Sequence, residues 1–360
     1  MVVFCHLFRP FDAVELRHHS IVVPVERMIS IFLSPGMTHA VATSSHCLAS
    51  GTRHGDQSQK TVHPKSKSTS HRKQFISSQS LSFQTMRIGF SLSPGGLLLP
   101  YHLGVLDGLK YHGYLNDATP LAGSSAGAIA AAAHACSVDS RVVLDATIDV
   151  SHRCASLGGA RGRLLPLLRE KLDVFLNEEC FDNMLKREGG VAIAYRQLFP
   201  SNRPILQTDF KERKDIIDAV CYSSMFPFFA TNWPAALDTS ERIPKVMVDG
   251  FFTVPRDRFG CPDFKMADVN VDRTVMVSVF PRDSVGLTAA SPEDCICPAE
   301  DVSASTLLQL ATEASSASSL IAVYESGFED AERWCRLQEC DTVSIAGFGN
   351  PDSRSATELN

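Results

Sequence analysis

One pentapeptide in this chain has the residue types of an activated serine. Gly123-Ser124-Ser125-Ala126-Gly127 reads Gly-x-Ser-x-Gly, and an alanine-rich run continues to Ala135. A short apolar strand is expected before it and a helix after it, the order a nucleophile elbow needs. Such a turn holds its serine in a strained backbone conformation, so the neighbours Gly123 and Gly127 must be small. Ser125 would then lie at a helix N-terminus, where free N–H groups and the helix dipole favour negative charge. These conditions suit a serine that attacks an ester and must stabilise an oxyanion. The plain alternative is a tight turn.

A serine is a weak nucleophile until a base takes its proton. The order serine, acid, histidine is closed to this chain, because its last histidine is His152. His102, His112, His134 and His152 all read as structural. A carboxylate can serve instead. Asp249 ends the apolar run Lys245–Val248 and precedes Gly250. The end of a strand in an open α/β sheet lies on the edge where ligands bind. Asp209 lies just before a predicted helix and reads as its cap. Asp272 precedes a strand and so falls on the opposite edge. The bland role for Asp249 is an Asx turn with Gly250.

An oxyanion also needs donors. Arg87–Leu92 reads as a buried strand, Ser93-Pro94-Gly95-Gly96 as a turn, and Leu97–Tyr111 as an apolar helix. Together with the strand before Ser125 this forms a β–α–β unit, whose right-handed crossover brings both strand ends to one edge. The N–H groups of Gly95 and Gly96 could therefore face the oxygen that attack by Ser125 creates. A Cβ at either glycine is expected to spoil the turn.

The rest of the chain supplies elements around this unit. Helices are expected over Asp139–Ser151, Leu164–Leu176, Phe181–Arg187 and Lys211–Ser223, and one or two over Ala304–Arg336. Strands are expected over Val191–Leu198, Pro204–Thr208, Lys245–Gly250 and Thr274–Phe280. Met225-Phe226-Pro227-Phe228-Phe229 is an apolar aromatic turn, read first as core and second as the lining of an acyl-chain pocket.

Composition sets the frame. The 360 residues are 44% hydrophobic and 21% charged, ordinary globular material. Residues 1–86 carry nine Lys/Arg against four Asp/Glu, and the remainder 25 against 36. An acidic body makes nucleic acid an unsuitable partner. Eleven cysteines without regular spacing suggest reduced thiols in an intracellular compartment. Cys295-x-Cys297 lacks a second ligand pair, so no zinc site is expected. No apolar run approaches the length of a membrane span. Residues 1–85 are rich in Ser, Thr, His and Lys and read as a disordered extension or a targeting segment. A folded domain is expected over 86–345 and a disordered tail over 346–360.

Gly-x-Ser-x-Gly, a glycine-rich strand–turn upstream and a later strand ending Asp249-Gly250 resemble the patatin-like phospholipases. Phe90-Ser91 through Tyr101-His102-Leu103-Gly104-Val105 is similar to the opening of the eukaryotic members. The likeness spans about Met86 to Phe280. It implies an α/β class protein with a three-layer α/β/α patatin-like fold and a mostly parallel central sheet. It implies a Ser–Asp dyad, here Ser125 and Asp249, that deacylates lipids without a metal or other cofactor. The family's turn usually reads Gly-Gly-Gly-x-Arg/Lys-Gly or Gly-x-Gly-x-x-Gly. Here Pro94 replaces the first glycine, Leu98 stands where a basic residue is common, and Leu99 replaces the last glycine. Leu98→Arg is therefore expected to be neutral or modestly activating. Phe251 follows Asp249-Gly250 where the family often has Gly or Ala.

The expected activity is cleavage of fatty acyl esters of glycerolipids through an acyl-enzyme. Alternatives are an acyl transferase, or a catalytically weak or inactive lipid-binding protein on the same fold. The expected partners are a glycerolipid substrate and a membrane or lipid-droplet surface touched peripherally. The expected location is cytoplasmic or peripheral to a membrane, with a plastid or mitochondrion open through the N-terminal segment.

Overall fold

The computed structural model describes residues 86–346. The extension expected over 1–85, and all but the first residue of the tail expected over 346–360, lie outside the described residues.

The chain begins with β1 (Ile88–Leu92), a single 3-10 turn over Gly96–Leu98, and α1 (Leu99–Tyr111). Pro100 sits in the first turn of α1, where no backbone N–H is needed. β2 (Leu121–Gly123) leads into α2 (Ala126–Ala135). Ala and Gly make α2 narrow, and nearly all of it is buried against the sheet. α3 (Ser140–Ser156) starts on Asp139, whose carboxylate accepts the Arg141 N–H at 2.8 Å, and runs past its expected end at Ser151. α4 (Leu164–Phe175) follows, then α5 (Glu178–Lys186), capped by the Asn177 side chain.

β3 (Val191–Phe199) and β4 (Arg203–Gln207) form a hairpin. α6 (Arg213–Ser223) starts on a capping box of Glu212 and Asp215. Asp209, expected to be the cap, lies outside it; its backbone carbonyl accepts from the Gln207 side chain at 3.1 Å. Glu212 displaces it because an acid three residues before another acid satisfies two orphan donors at once. β5 (Ala236–Asp238), β6 (Lys245–Val248), β7 (Arg273–Val277), the short α7 (Arg282–Val285) and β8 (Cys295–Ile296) come next. The expected C-terminal helical stretch is two helices, α8 (Ala304–Thr312) and α9 (Ala317–Ala346).

Among the described residues the strands join in one sheet, in the order β5-β6-β3-β2-β1-β7-β8, with β4 also on β3. β1 pairs in parallel with β2 and β7, β2 with β3, and β7 with β8. β4 and β6 run antiparallel to β3, and β5 antiparallel to β6. Six of the eight strands thus point one way, so the sheet is mostly parallel. One face holds Phe90, Leu92, Leu121, Ile193 and Val277 in a large core with residues of α1, α2, α6 and α9. The other face is lined by small residues, Ala122, Ala192 and Ala194, and is covered by Phe264 and the segment around it. A sheet buried on both faces accounts for apolar strands without alternation.

The register on β3 positions the site. Ile193 pairs with both Gly123 and Gln207, and Arg196 with both Pro204 and Val248. A residue has one neighbour on each side, so β4 occupies one edge of β3 and both β2 and β6 occupy the other. β2 lies along the first half of that edge and β6 along the second. They run toward each other, so the end of β6 meets the end of β2.

Candidate functional site

Ser125 stands between β2 and α2 at φ 52° and ψ −118°, a region non-glycine residues rarely occupy. The turn is tight enough to exclude larger neighbours. A Cβ at Gly123 would strike the Gly127 carbonyl, and one at Gly127 would come within 2.6 Å of the Leu92 oxygen. The backbone is pinned on both sides of the serine. Ser124 donates its N–H to the Leu92 carbonyl at 3.1 Å and its hydroxyl to the Gly260 carbonyl at 2.6 Å. The Ser125 N–H donates to the hydroxyl of Ser223, the last residue of α6, at 2.8 Å.

Asp249 follows β6 and arrives beside Ser125. The expected location is right, but for a different reason. β6 is antiparallel to its neighbour, so its end reaches this edge from outside, opposite β2, and not as one more parallel strand. The carboxyl is 1% exposed. Its Oδ1 accepts the Phe251 N–H at 2.8 Å, which is the Asx-type turn considered as its bland role. Oδ2 remains, buried and without a formed hydrogen bond. Burial raises the Asp249 pKa from 3.8 to about 7, opposed by the Phe251 N–H and by the nearby Ser125 hydroxyl. The Ser125 hydroxyl is thus near enough to act on the carboxyl, without a closed hydrogen bond to Oδ2. A base titrating near neutrality suits proton transfer.

Gly95 and Gly96 differ. Gly96 has φ 56°, and a Cβ there would collide with the Ala311 carbonyl of α8. Gly95 has φ −160°, extended backbone open to any residue, and a Cβ would meet only the Val279 methyls at 3.0 Å. The expectation that both must be glycine therefore holds for Gly96 alone. Among the described residues, no turn or loop hydrogen bond uses the N–H of either. Leu98 is fully buried in the core. This overturns the expectation for Leu98→Arg, because an unpaired guanidinium there would lose its water without gaining a partner.

The four histidines form no hydrogen bond to Ser125 or Asp249. His152 is exposed and His112 lies 4.0 Å from Glu332. His134 has its pKa lowered to about 3 by burial and then by Arg187 and Lys110. His102 is buried on α1, with Nε2 at 2.8 Å from the Ser93 carbonyl and Nδ1 without a partner among the described residues. Leaving such a group unsatisfied costs about 1–3 kcal/mol. Asp272 takes the Arg87 N–H at the start of β1, on the far edge. The aromatic turn is core only at Met225; Phe226, Phe228 and Phe229 are half-buried. Phe226 stacks on Phe252 with ring centroids 5.7 Å apart, and Phe251, Phe259 and Phe280 continue the row. The row begins beside Asp249, whose carboxylate takes the Phe251 N–H. Ser223, Gly260 and His102 escaped the sequence reading as members of this site. Ser223 and Gly260 are far from Ser125 along the chain and carry no motif.

A strained serine at a helix N-terminus, a buried acid with its pKa raised to about 7 and a turn with free donors are the features that ester cleavage by an activated serine would need. Residues 90–258 match the family model of patatin-like phospholipases, somewhat less than half of the chain. That match supports a lipid hydrolase. No curated protein matches the chain. Among solved structures, VipD from Legionella pneumophila is 9% identical, with a TM-score of 0.45, over 70% of this chain and 67% of that one. ExoU in its heterodimeric complex with SpcU, from the type III secretion system of Pseudomonas aeruginosa, is 13% identical with a TM-score of 0.35, over 70% of this chain and 52% of its own. ExoU in a second crystal structure is 14% identical with a TM-score of 0.26, over 71% and 53%. The chain spans about half the length of the ExoU chains.

Proposed function

We propose that this chain is a lipid acyl hydrolase that cleaves fatty acyl esters of glycerolipids through Ser125 and Asp249. The reading rests on one observation above the others: a serine at φ 52° faces a buried carboxyl whose pKa is raised to about 7. The Ser125 oxygen attacks the acyl carbonyl while Asp249 Oδ2 takes the hydroxyl proton. The carbonyl oxygen becomes an oxyanion facing the N–H groups of Gly95 and Gly96. As the tetrahedral intermediate collapses, the C–O bond to the alcohol breaks, and Asp249 returns the proton to that oxygen. Water then repeats the sequence on the acyl-serine and releases the fatty acid. Every step uses groups of this chain, the substrate and water.

A glycerolipid substrate lies in a membrane or lipid droplet, so the protein would work at such a surface. No helix among the described residues is long and apolar enough to cross a membrane. An exposed apolar ladder suits peripheral contact instead. Exposed Leu237 and Phe199 flank half-buried Val246 across three strands, and Trp233 and Ile243 are exposed beside the β5–β6 pair. Val246 lies on β6, three residues before Asp249, which follows that strand. Tryptophan suits a lipid–water boundary because its ring is apolar and its N–H polar.

The test is hydrolysis by the full chain of phospholipid, galactolipid and triacylglycerol vesicles or emulsions, beside a water-soluble short-chain ester. Release of fatty acid from at least one lipid, lost in Ser125→Ala, is expected. Vesicle binding without hydrolysis of any ester would favour the inactive lipid-binding alternative. The chain has two tryptophans, and Trp334 is buried, so a blue shift of emission on vesicles reports Trp233.

A further inference from the structure

We propose that His102 is a positioning residue, whose Nε2–H holds the Ser93 carbonyl and thereby aims the N–H groups of Gly95 and Gly96. The proposal rests on the reading of that turn as the oxyanion site. Ser93 opens the turn, and its groups are tied down. Its N–H donates to the Val277 carbonyl at 2.9 Å, its hydroxyl reaches the Pro94 carbonyl at 3.1 Å, and its carbonyl takes His102 Nε2 at 2.8 Å. Pro94 has no N–H, so it offers the turn no donor anchor of its own. With proline at this place, the Ser93 carbonyl is, of the gripped groups of Ser93, the one nearest the two glycines along the backbone. His102 lies in the first turn of α1, and a helical side chain leans back toward the helix N-terminus. That is the direction of Ser93.

The rest of the imidazole supports a directed role. It is fully buried, and Nδ1 finds no partner among the described residues. An apolar side chain would fill the site without that cost, unless the Nε2–H is needed. A carbonyl accepts, so the hydrogen must sit on Nε2. Burial lowers the His102 pKa to about 4 against the opposing pull of the Ser93 bond. The ring is therefore a neutral, fixed donor through the pH range in which Asp249 changes its charge. It cannot compete with Asp249 as the base, and it makes no hydrogen bond to Ser125.

The experiment compares His102→Gln, whose amide reaches the position of Nε2, with His102→Leu, which has no donor. If His102→Leu fails to fold, His102→Asn replaces it, since its shorter amide cannot reach Ser93. With the full chain and a water-soluble ester, the variant without a donor should lose about 10²-fold in kcat, as expected for a small misplacement of reacting groups. Its KM should change by no more than about twofold, because the oxyanion contact forms in the transition state. His102→Gln should recover most of the loss, and the acid limb of the pH profile should stay near 7 in both. Amide hydrogen exchange over residues 93–97 should quicken in His102→Leu and stay slow in His102→Gln. Exchange reads the turn whether or not any ester is cleaved. A chain without esterase activity therefore fails the functional reading and leaves exchange to judge the positioning. Unchanged kcat and unchanged exchange in a folded His102→Leu would overturn the proposal. Equal losses in both variants, tracking a common fall in Tm, would also overturn it and make the histidine merely structural.

Discussion

The two halves of the sheet treat the site in opposite ways. In the parallel half, β1 and β2 end in tight turns rich in Gly and Ser that lead into α1 and α2. Position there is set on the backbone, through closely approaching glycines and through hydroxyl and imidazole groups that hold its N–H and carbonyl groups. In the antiparallel half, β6 delivers one side chain, Asp249, among aromatic rings that grade into exposed apolar surface. The first half leaves no room for an added atom at Gly96, Gly123 or Gly127. The second is built from side chains and sets a pKa by burial. The lesson is that the proposed nucleophile and donors should be sensitive to volume, and Asp249 sensitive to charge and solvent.

The largest effect should come from breaking either half at its centre. Ser125→Ala and Asp249→Asn should each lower ester hydrolysis by about 10³-fold or more, as for groups acting as a unit. Asp209→Asn and Asp272→Asn, which lie outside the site, should stay near wild type. Steady-state kinetics on one soluble ester would check all four.

The next effect separates volume from conformation within the parallel half. Gly96→Ala meets both a positive φ and the α8 backbone, and should cost about 10²-fold or more in kcat, the size of a lost oxyanion donor. Gly95→Ala meets only two methyl groups and should cost less than about tenfold. Circular dichroism on both variants would show whether the losses come from the site. Leu98→Arg should fail differently, by unfolding, with a stability loss of about 3 kcal/mol or more.

The antiparallel half should respond to pH. Asp249 must be ionised to accept a proton, so kcat/KM should fall about tenfold per unit below a limb near pH 7. Stability should move the other way. The folded state keeps the Asp249 proton up to about pH 7, while the unfolded chain loses it near 3.8. Folding therefore binds a proton between those values, and this contribution to stability falls as pH rises through the window. Asp249→Asn removes that dependence. The variant should be inactive yet more stable than wild type at pH 8, by at most about 4 kcal/mol. Denaturant midpoints at pH 5 and pH 8 would test the sign.

The smallest effect tests the link between the halves. Ser223→Ala leaves the Ser125 N–H without its acceptor and should cost about 1–3 kcal/mol in stability. Denaturant unfolding would measure it. A neutral Ser223→Ala would mean that α6 does not hold the elbow.

What the sequence disclosed follows the same division. The parallel unit from β1 to α2 was legible because glycine spacing, a strand and an alanine-rich helix are all local signals. Ser125, Gly96 and the elbow glycines could be named from them. Asp249 was also found, but its approach was misread, since nothing local states that β6 is antiparallel or that it shares one edge of β3 with β2. Leu98 was misjudged because burial depends on neighbours far along the chain. Ser223, Gly260 and His102 were missed for the same reason. Each acts through one hydrogen bond to a partner set by the fold.

The most direct test of Ser125 as a nucleophile activated by Asp249 is the rate of labelling by a fluorophosphonate as a function of pH, with the adduct located by mass spectrometry. The account predicts one adduct, on Ser125, forming faster as pH rises through about 7 and far more slowly in Asp249→Asn. An adduct on another residue, or labelling of Ser125 at a rate indifferent to both pH and Asp249, would contradict it.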